Sequence, residues 1–423
     1  MYILCDVNSM YAACEKVFDP SIRKRPVVVL TNNDGCICAA CGIAKKMGIG
    51  KKFVPFFQVR KELENAGAVV RSSNYELYAD LSQRFLDTCI RFAPHSHIYS
   101  IDECFLYYGK SGSYTPPEGW FNHASTIRRT VWREVRLPIG VGVGATPTLA
   151  KAASHASKRI EGYQGVAVID NEVTRKHILS EMSVGDVWGI GRKLTLKLQA
   201  LDINTAWQLA NANSTWIKQQ FSVLVEDTVL ELNGIVKKRW EEVRANKKQI
   251  YSTRSFGQRI TDKNELTFAL ATHASVAAAK LRKQKSTTQA MTIFASSSPH
   301  DNTGYYRKSV FHHFPVPTAD SGLLTAASRS AVDILFRDGV RFYRCGVGLM
   351  DISDEQNSQP DLFSPSQDKP ELMQCMDIIN KRYGRGTAHL AGQGFEKKFA
   401  MRREFLSPQY TTRWDDIPRI ECR

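Results

Sequence analysis

Two short acidic segments lie far apart in this chain, and each closes a strand-like run. The apolar stretch Ile3-Leu4-Cys5 ends in Asp6, and Ser100-Ile101 leads into Asp102-Glu103; the aspartates are 102 − 6 = 96 residues apart. Carboxylates brought together in this way can hold a pair of Mg²⁺ ions, and two such ions about 3.5–4 Å apart are a general device for phosphoryl transfer. In a straight strand Asp102 and Glu103 would point to opposite faces. Both can serve one site only if the backbone bends between them, so a hairpin turn or bulge is expected there. Isoleucine, tyrosine, phenylalanine and leucine flank the pair. That setting places it near a core, where unpaired acids are costly without a compensating cation. Adjacent acids at a turn are more often simply solvated, and the pair by itself leaves that reading open.

Three further groups could act beside these carboxylates. The run Asp6-Val7-Asn8-Ser9-Met10-Tyr11 reads as a strand end followed by a helix start, with Asn8 or Ser9 able to cap. Tyr11 falls on the first helical turn, where a rigid ring could pack under a sugar and exclude a 2′-hydroxyl. Spacing alone fits a half-buried ring on an amphipathic helix equally well. The run Gly140-Val141-Gly142-Val143-Gly144 permits close backbone approach, and Thr146-Pro147 is a strong helix start. The helix so begun presents Lys151, His155 and Lys158 on one face, a cationic surface suited to a triphosphate. Its glycine pattern is neither a P-loop nor a dinucleotide fingerprint. Gly189-Ile190-Gly191, followed by Arg192 and Lys193, resembles a helix–hairpin–helix turn. Such glycines let N–H groups at a helix start face a phosphate, which reads duplex backbone without base specificity. A plain helix-linking turn is the alternative.

The elements that must position these residues fill 423 residues, about three domains. Strands alternate with helices over residues 1–165, which suggests an α/β or α+β domain around one central sheet. Residues 166–236 read as short helices. The stretch after them carries Lys237, Lys238, Arg239, Arg244, Lys247 and Lys248, a linker or helix end near phosphates. Residues 250–350 return to strand, helix, strand, helix, strand, with 13 Lys/Arg against 6 Asp/Glu. From about 353 the texture turns to Ser, Asp, Gln and Pro, a flexible tail at least to Pro370, and Glu371 to Arg382 reads as a helix. The formal charge of +15 favours a polyanionic partner, nucleic acid first. No segment approaches the ~18 uninterrupted apolar residues of a membrane span, and no signal peptide is evident. The ten cysteines therefore read as reduced thiols in a cytoplasmic chain. Cys36-x-Cys38-x-x-Cys41 lacks an adjacent fourth ligand for a tetrahedral zinc set.

Taken together, these pieces resemble the Y-family of translesion DNA polymerases, and within it the UmuC subfamily, the catalytic subunits of bacterial DNA polymerase V and plasmid-borne relatives. The resemblance spans nearly the whole chain. It rests on Cys5 to Tyr11, Asn32-Asn33-Asp34-Gly35-Cys36, Ser73 to Asp80, Tyr99 to Glu103, Thr148-Leu149-Ala150-Lys151 and Asp186 to Gly191. Further on it rests on Arg254-Ser255-Phe256-Gly257, Ala391 to Gly394 and Leu406 to Arg413.

The resemblance implies an α/β (α+β) multidomain right hand. Its parts would be a palm (1–10 and 75–165), small fingers (11–74), a helical thumb with the helix–hairpin–helix (166–236), a basic linker (237–249), a little finger (250–352) and a C-terminal partner-binding tail (353–423). It implies that Asp6, Asp102 and Glu103, helped by the Val7 carbonyl, hold two Mg²⁺ ions. Tyr11 becomes the sugar gate, with Lys45, Tyr75 and Lys158 around the triphosphate. Gly189, Gly191, Arg192, Lys193, Arg254 and Arg259 would contact primer–template DNA. The implied function is error-prone, template-dependent synthesis from deoxynucleoside triphosphates in the bacterial SOS response to DNA damage, without proofreading. Gln359-Pro360-Asp361-Leu362-Phe363 resembles a sliding-clamp peptide, with Gln359, Leu362 and Phe363 as its anchors. A cleaved UmuD-type subunit and RecA are the other implied partners, with no membrane. Two departures stand out. The fingers read Ala40-Cys41-Gly42-Ile43-Ala44-Lys45 where relatives usually carry Arg-Asn-x-Glu-Ala-Lys, and His155 stands where a small or acidic residue is common. A weakened DNA-binding accessory protein, or a palm-type nucleotide cyclase, is the alternative reading.

Overall fold

The computed structural model describes residues 1–109, 114–238, 246–301, 304–357, 367–384, 386–394 and 401–417. It divides into two compact units, Met1–Glu242 with Arg403–Arg423, and Val243–Arg402.

In the first unit, strand β1 (Tyr2–Val7) leads into helix α1 (Met10–Phe18). Strands β2 (Val27–Leu30) and β3 (Ile37–Ala40), helices α2 (Gly42–Lys46) and α3 (Phe56–Asn65), and strand β4 (Val69–Ser72) follow. Helix α4 (Tyr75–Ile90), strands β5 (His95–Ile98) and β6 (Glu103–Tyr107), helix α5 (Gly119–Val135), strand β7 (Ile139–Gly144), helix α6 (Pro147–Arg159) and strand β8 (Val166–Ile169) complete the α/β part. One five-stranded sheet has the order β5-β6-β1-β7-β8, and a three-stranded sheet has the order β3-β2-β4. Strand β1 is central and buried along its length except at Asp6, which is half-buried. A strand covered on both faces reads as a continuous apolar run, which Tyr2-Ile3-Leu4-Cys5 is.

The expected bend in the second acidic segment is a β5–β6 hairpin. Its turn is closed by the N–H groups of Tyr99 and Ser100 donating to the Glu103 carbonyl. Helix α6 starts as its sequence requires, with Pro147 in the first turn and the Thr146 hydroxyl accepting from the Leu149 N–H at 3.1 Å. Helix α1 differs from expectation. Ser9 holds its N-cap position in the left-handed region (φ 53°) and makes no side-chain cap; its hydroxyl instead accepts from Lys45 Nζ at 2.8 Å.

Five helices follow: α7 (Glu172–Glu181), α8 (Arg192–Gln199), α9 (Ala206–Ala210), α10 (Ser214–Gln220) and α11 (Val223–Leu232). They share a core with α6 and β8 that includes Ala152 and Ile169 beside Ile178, Leu179, Leu198, Leu209 and Leu232.

The second unit holds strand β9 (Ile250–Ile260), helix α12 (Lys263–Lys283), strands β10 (Ser286–Ser297) and β11 (Arg307–Thr318), helices α13 (Ser321–Ser330) and α14 (Val332–Leu335), and strand β12 (Phe342–Asp354). The sheet order is β11-β10-β12-β9. This is one strand more than the sequence pattern indicated. Strand β11 carries Arg307, Lys308, His312 and His313 and is largely exposed, so it lacks the apolar alternation that marks a half-buried strand. Helix α15 (Pro370–Tyr383) packs on this unit through the buried Met373. The Arg282 guanidinium also donates twice to Asp377, both at 2.7 Å.

Candidate active site

Strand register builds the site. Asp6 lies directly opposite Glu103 on one side and Gly140 on the other, and directly opposed residues of an antiparallel pair project from the same face. Asp102 sits in the hairpin turn, and its carbonyl accepts the Val7 N–H at 2.9 Å. Asp6 and Glu103, 103 − 6 = 97 residues apart in sequence, are thereby neighbours, and the third carboxylate is tied to the strand end by one backbone hydrogen bond.

Helix α6 supplies the countercharge. Lys158 Nζ lies 2.7 Å from Asp6 Oδ1, and Lys151 Nζ lies 2.7 Å from Glu103 Oε1. Glycines make this possible. A Cβ at Gly142 would sit 2.1 Å from the Ser154 N and 2.3 Å from the Ala150 O, and one at Gly140 would sit 2.4 Å from Lys158 Cε. Only bare backbone on β7 lets the helix lie this close. Asp102 Oδ1 takes its hydrogen bond from the Ser100 hydroxyl at 2.6 Å.

The electrostatics follow from burial and mutual repulsion. Burial pushes the Asp6 carboxyl above the usual carboxylate range, Lys158 pulls it back, and the Asp102 charge adds to the rise. Burial likewise raises Glu103; Lys151 opposes this, while Asp6 and Asp102 add to it. Among the described residues no group of three His, Cys, Asp or Glu side chains converges tightly enough to grip a metal ion. The physical reason is that Asp6 and Glu103 are turned onto lysines and Asp102 onto Ser100. The donor chemistry, hard carboxylate oxygens that repel one another near a sheet edge, suits a hard divalent cation.

Aromatic residues wall one side of the site. Tyr11 stacks on Tyr78 with ring centres 4.6 Å apart and meets the edge of Tyr75 at 6.1 Å. Lys45 is exposed beside Ser9, and desolvation with the nearby charges of Lys52, Arg159 and Lys158 holds its amine below the usual lysine range. Such a cluster of cations suits a polyanion. His155 turns aside, with Nε2 3.7 Å from Asp186 Oδ2. In the segment Ala40 to Lys45, Ala40, Cys41 and Ala44 are buried and Ile43 is half-buried.

Gly189 has a φ of 98°, a value that favours glycine. Gly191, Arg192 and Lys193 stand exposed at the start of α8. In the second unit Arg254 is exposed, whereas Arg259 pairs with Asp301 at 3.0 Å and lies over the Tyr343 ring. Gln359, Leu362 and Phe363 lie outside the described residues. Sequence reasoning missed the aromatic box formed by Tyr99, Phe105 and Trp188. It holds Lys151 at 4.5 Å from the Tyr99 ring centre and Lys238 at 4.1 Å from that of Trp188. The one available signal was Trp188 next to the Gly189 turn.

The chain is similar in fold to a solved Y-family DNA polymerase chimera of Dbh and Dpo4. The TM-score is 0.63 at 20% identity, over 84% of this chain and 99% of that one. The fold is therefore the right hand of a Y-family polymerase, with palm, small fingers, helical thumb and little finger. Residues 5–155 match the impB/mucB/samB family and residues 247–362 that family's C-terminal domain, while residues 370–420 match a domain of unknown function, DUF4113. Protein UmuC of Salmonella typhimurium is 40% identical over the full length of both chains, and Protein ImpB of Salmonella typhimurium is 41% identical over 99% of each. The chain belongs to the impB/mucB/samB family, the UmuC group of the Y-family. Among the described residues, no helix is long and apolar enough to cross a membrane.

Proposed function

We propose that this chain is a template-dependent DNA polymerase of the error-prone translesion class, acting without proofreading in the bacterial SOS response. The observation that carries the reading is the register that sets Asp6 against Glu103, with Asp102 in the adjoining turn and two lysines of α6 reaching in. Asp6, Asp102 and Glu103, with the Val7 carbonyl, would hold two Mg²⁺ ions. Such a pair activates a primer 3′-hydroxyl and stabilises charge on the leaving pyrophosphate.

The remaining residues bind and orient. Lys45 and Lys158 offer positive charge to the triphosphate. Tyr75 and Tyr78 back the Tyr11 ring, which closes the sugar pocket against a 2′-hydroxyl. Gly189, Gly191, Arg192 and Lys193 hold duplex phosphates, and Arg254 adds a phosphate contact from the little finger. Arg259 takes that role only if it leaves Asp301. A sliding clamp engaged through Gln359, Leu362 and Phe363, a cleaved UmuD-type subunit and RecA are the proposed partners, in the cytoplasm.

The test is single-nucleotide incorporation opposite an abasic site with Mg²⁺, with the accessory subunit supplied. Asp102→Ala should lose at least about 10²-fold. Incorporation at the parental rate by that variant would overturn the assignment.

A further inference from the structure

Two of the motifs that carry the family resemblance, Asn32 to Cys36 and Ser73 to Asp80, are joined in the structure by the C-terminal segment that holds a third, Leu406 to Arg413. Residues 403–417 belong to the first unit. Arg403 pairs with Glu76 at 3.0 Å. The Glu404 N–H donates to Asp34 Oδ2 at 2.8 Å, and the Ser72 hydroxyl donates to Asp34 Oδ1 at 2.6 Å. The Phe405 ring meets the edge of Phe56 at 5.6 Å, and Tyr410 stacks on Phe18 at 5.1 Å.

The deepest anchor is Ser407, which is 4% exposed. Asn74 caps α4 with its side-chain oxygen, which accepts from the Leu77 N–H. Its Nδ2 donates to the Ser407 hydroxyl at 2.9 Å and to the Ser407 carbonyl at 3.1 Å. The Ser407 hydroxyl donates in turn to Glu15 Oε1 at 3.1 Å, across 392 residues of sequence. Glu15 is 1% exposed, and the same oxygen accepts the Tyr78 hydroxyl at 2.6 Å. A carboxylate buried this deeply is tolerable only while donors surround it. Arg71 Nε, at 3.6 Å, is too far for a full hydrogen bond. Glu15 therefore depends on Tyr78 and Ser407, and Tyr78 is the ring on which Tyr11 lies, 16° from parallel.

We propose that the C-terminal segment is a positioning element for the nucleotide sugar: through Ser407 and Glu15 it fixes Tyr78, and through Tyr78 the placement of Tyr11. This rests on the reading of Tyr11 as the sugar gate. Without the Ser407 hydroxyl, Glu15 loses a donor and Asn74 an acceptor. The carboxylate then re-aims, Tyr78 follows its hydrogen bond, and the Tyr11 ring no longer fills the space that a 2′-hydroxyl would occupy. Ser407 is a positioning residue, remote from the reacting atoms.

The experiment measures kcat/KM for a deoxynucleotide and for the matching ribonucleotide on one primer–template, using the full chain. Ser407→Ala should lower the ratio about tenfold, the equivalent of one buried hydrogen bond, while deoxynucleotide incorporation stays within about twofold. Ser407→Thr, which keeps the hydroxyl, should restore the ratio. Should Ser407→Ala fail to fold, Tyr78→Phe keeps both ring and segment, cuts the same link, and should move the ratio in the same direction. Tyr11→Ala separates the two claims. If it leaves the ratio unchanged, the gate reading falls and the proposal falls with it. If Tyr11→Ala collapses the ratio while Ser407→Ala and Tyr78→Phe keep the parental value, the positioning proposal alone is overturned. Equal losses for both nucleotides, with the ratio unchanged, overturn it too, because they mark a merely structural role.

Discussion

Replacing Gly142 with alanine probes the contact on which the site depends. The new Cβ would stand 2.1 Å from the Ser154 N and 2.3 Å from the Ala150 O. Both are backbone atoms of α6, so no side chain can swing aside. Restoring an ordinary 3.4 Å contact requires the helix to lift by about 3.4 − 2.1 = 1.3 Å. Overpacking of this kind costs about 1–3 kcal/mol, and a backbone clash belongs at the upper end. The same lift draws Lys151 and Lys158 from Glu103 and Asp6, both now at 2.7 Å; a misplacement of about 1 Å costs on the order of 10²-fold in rate. Urea unfolding and single-nucleotide incorporation read the two effects. Gly140→Ala is the control, because its Cβ would meet chiefly the flexible Lys158 side chain, with Cε at 2.4 Å. It should leave the unfolding free energy within about 1 kcal/mol yet still slow incorporation by displacing Lys158. Parental stability and parental rate in Gly142→Ala would refute the claim that helix–strand closeness places the lysines.

Other outcomes follow from single groups. Arg192→Ala with Lys193→Ala should weaken primer–template binding alike for all sequences and reduce the slope of log K against log salt by up to about 2; an unchanged slope would remove α8 from the phosphate contacts. His273 is 8% exposed, with Nδ1 2.9 Å from the Ser252 hydroxyl. Burial, then the charges of Arg254 and Lys280, lower its pKa from 6.5 to about 4. The folded value is the depressed one, so the stability linked to His273 is complete above 6.5 and drains as pH falls toward 4. At pH 5 the loss is about 2 kcal/mol. Urea unfolding at pH 7 and pH 5 should show it, and His273→Asn, which cannot take the proton, should lack that share; equal pH dependence in both proteins would count against it.

Local chemistry was legible in the residues themselves. The apolar run before Asp6, the bend between Asp102 and Glu103, the Thr146-Pro147 helix start and the glycines of β7 each obey a rule spanning a few positions, and the structure follows each. The cap expected at Asn8 or Ser9 did not form: Ser9 takes the left-handed region rather than the extended backbone of a cap, and its hydroxyl turns to Lys45, 36 residues away. Strand β11 escaped notice because an exposed edge strand needs no apolar alternation. The partners of the C-terminal segment were unreadable for another reason: Asn74 and Ser407 are 333 residues apart, and no short-range pattern records a hydrogen bond of that span.

The sequence by itself determined which groups could do chemistry: three carboxylates, a lysine-bearing helix, a tyrosine at a helix start and a basic surface. Composition and local spacing suffice for that, since side-chain type and helix or strand period are properties of neighbours. Tertiary structure alone decided who meets whom. The pairing of Asp6 with Glu103, the lysine assigned to each carboxylate and the reach of Ser407 to Glu15 are set by strand register and by how closely α6 lies on β7. Those quantities emerge only when distant segments compete for one core, where a shift of one residue would carry Asp6 to the opposite face of the sheet.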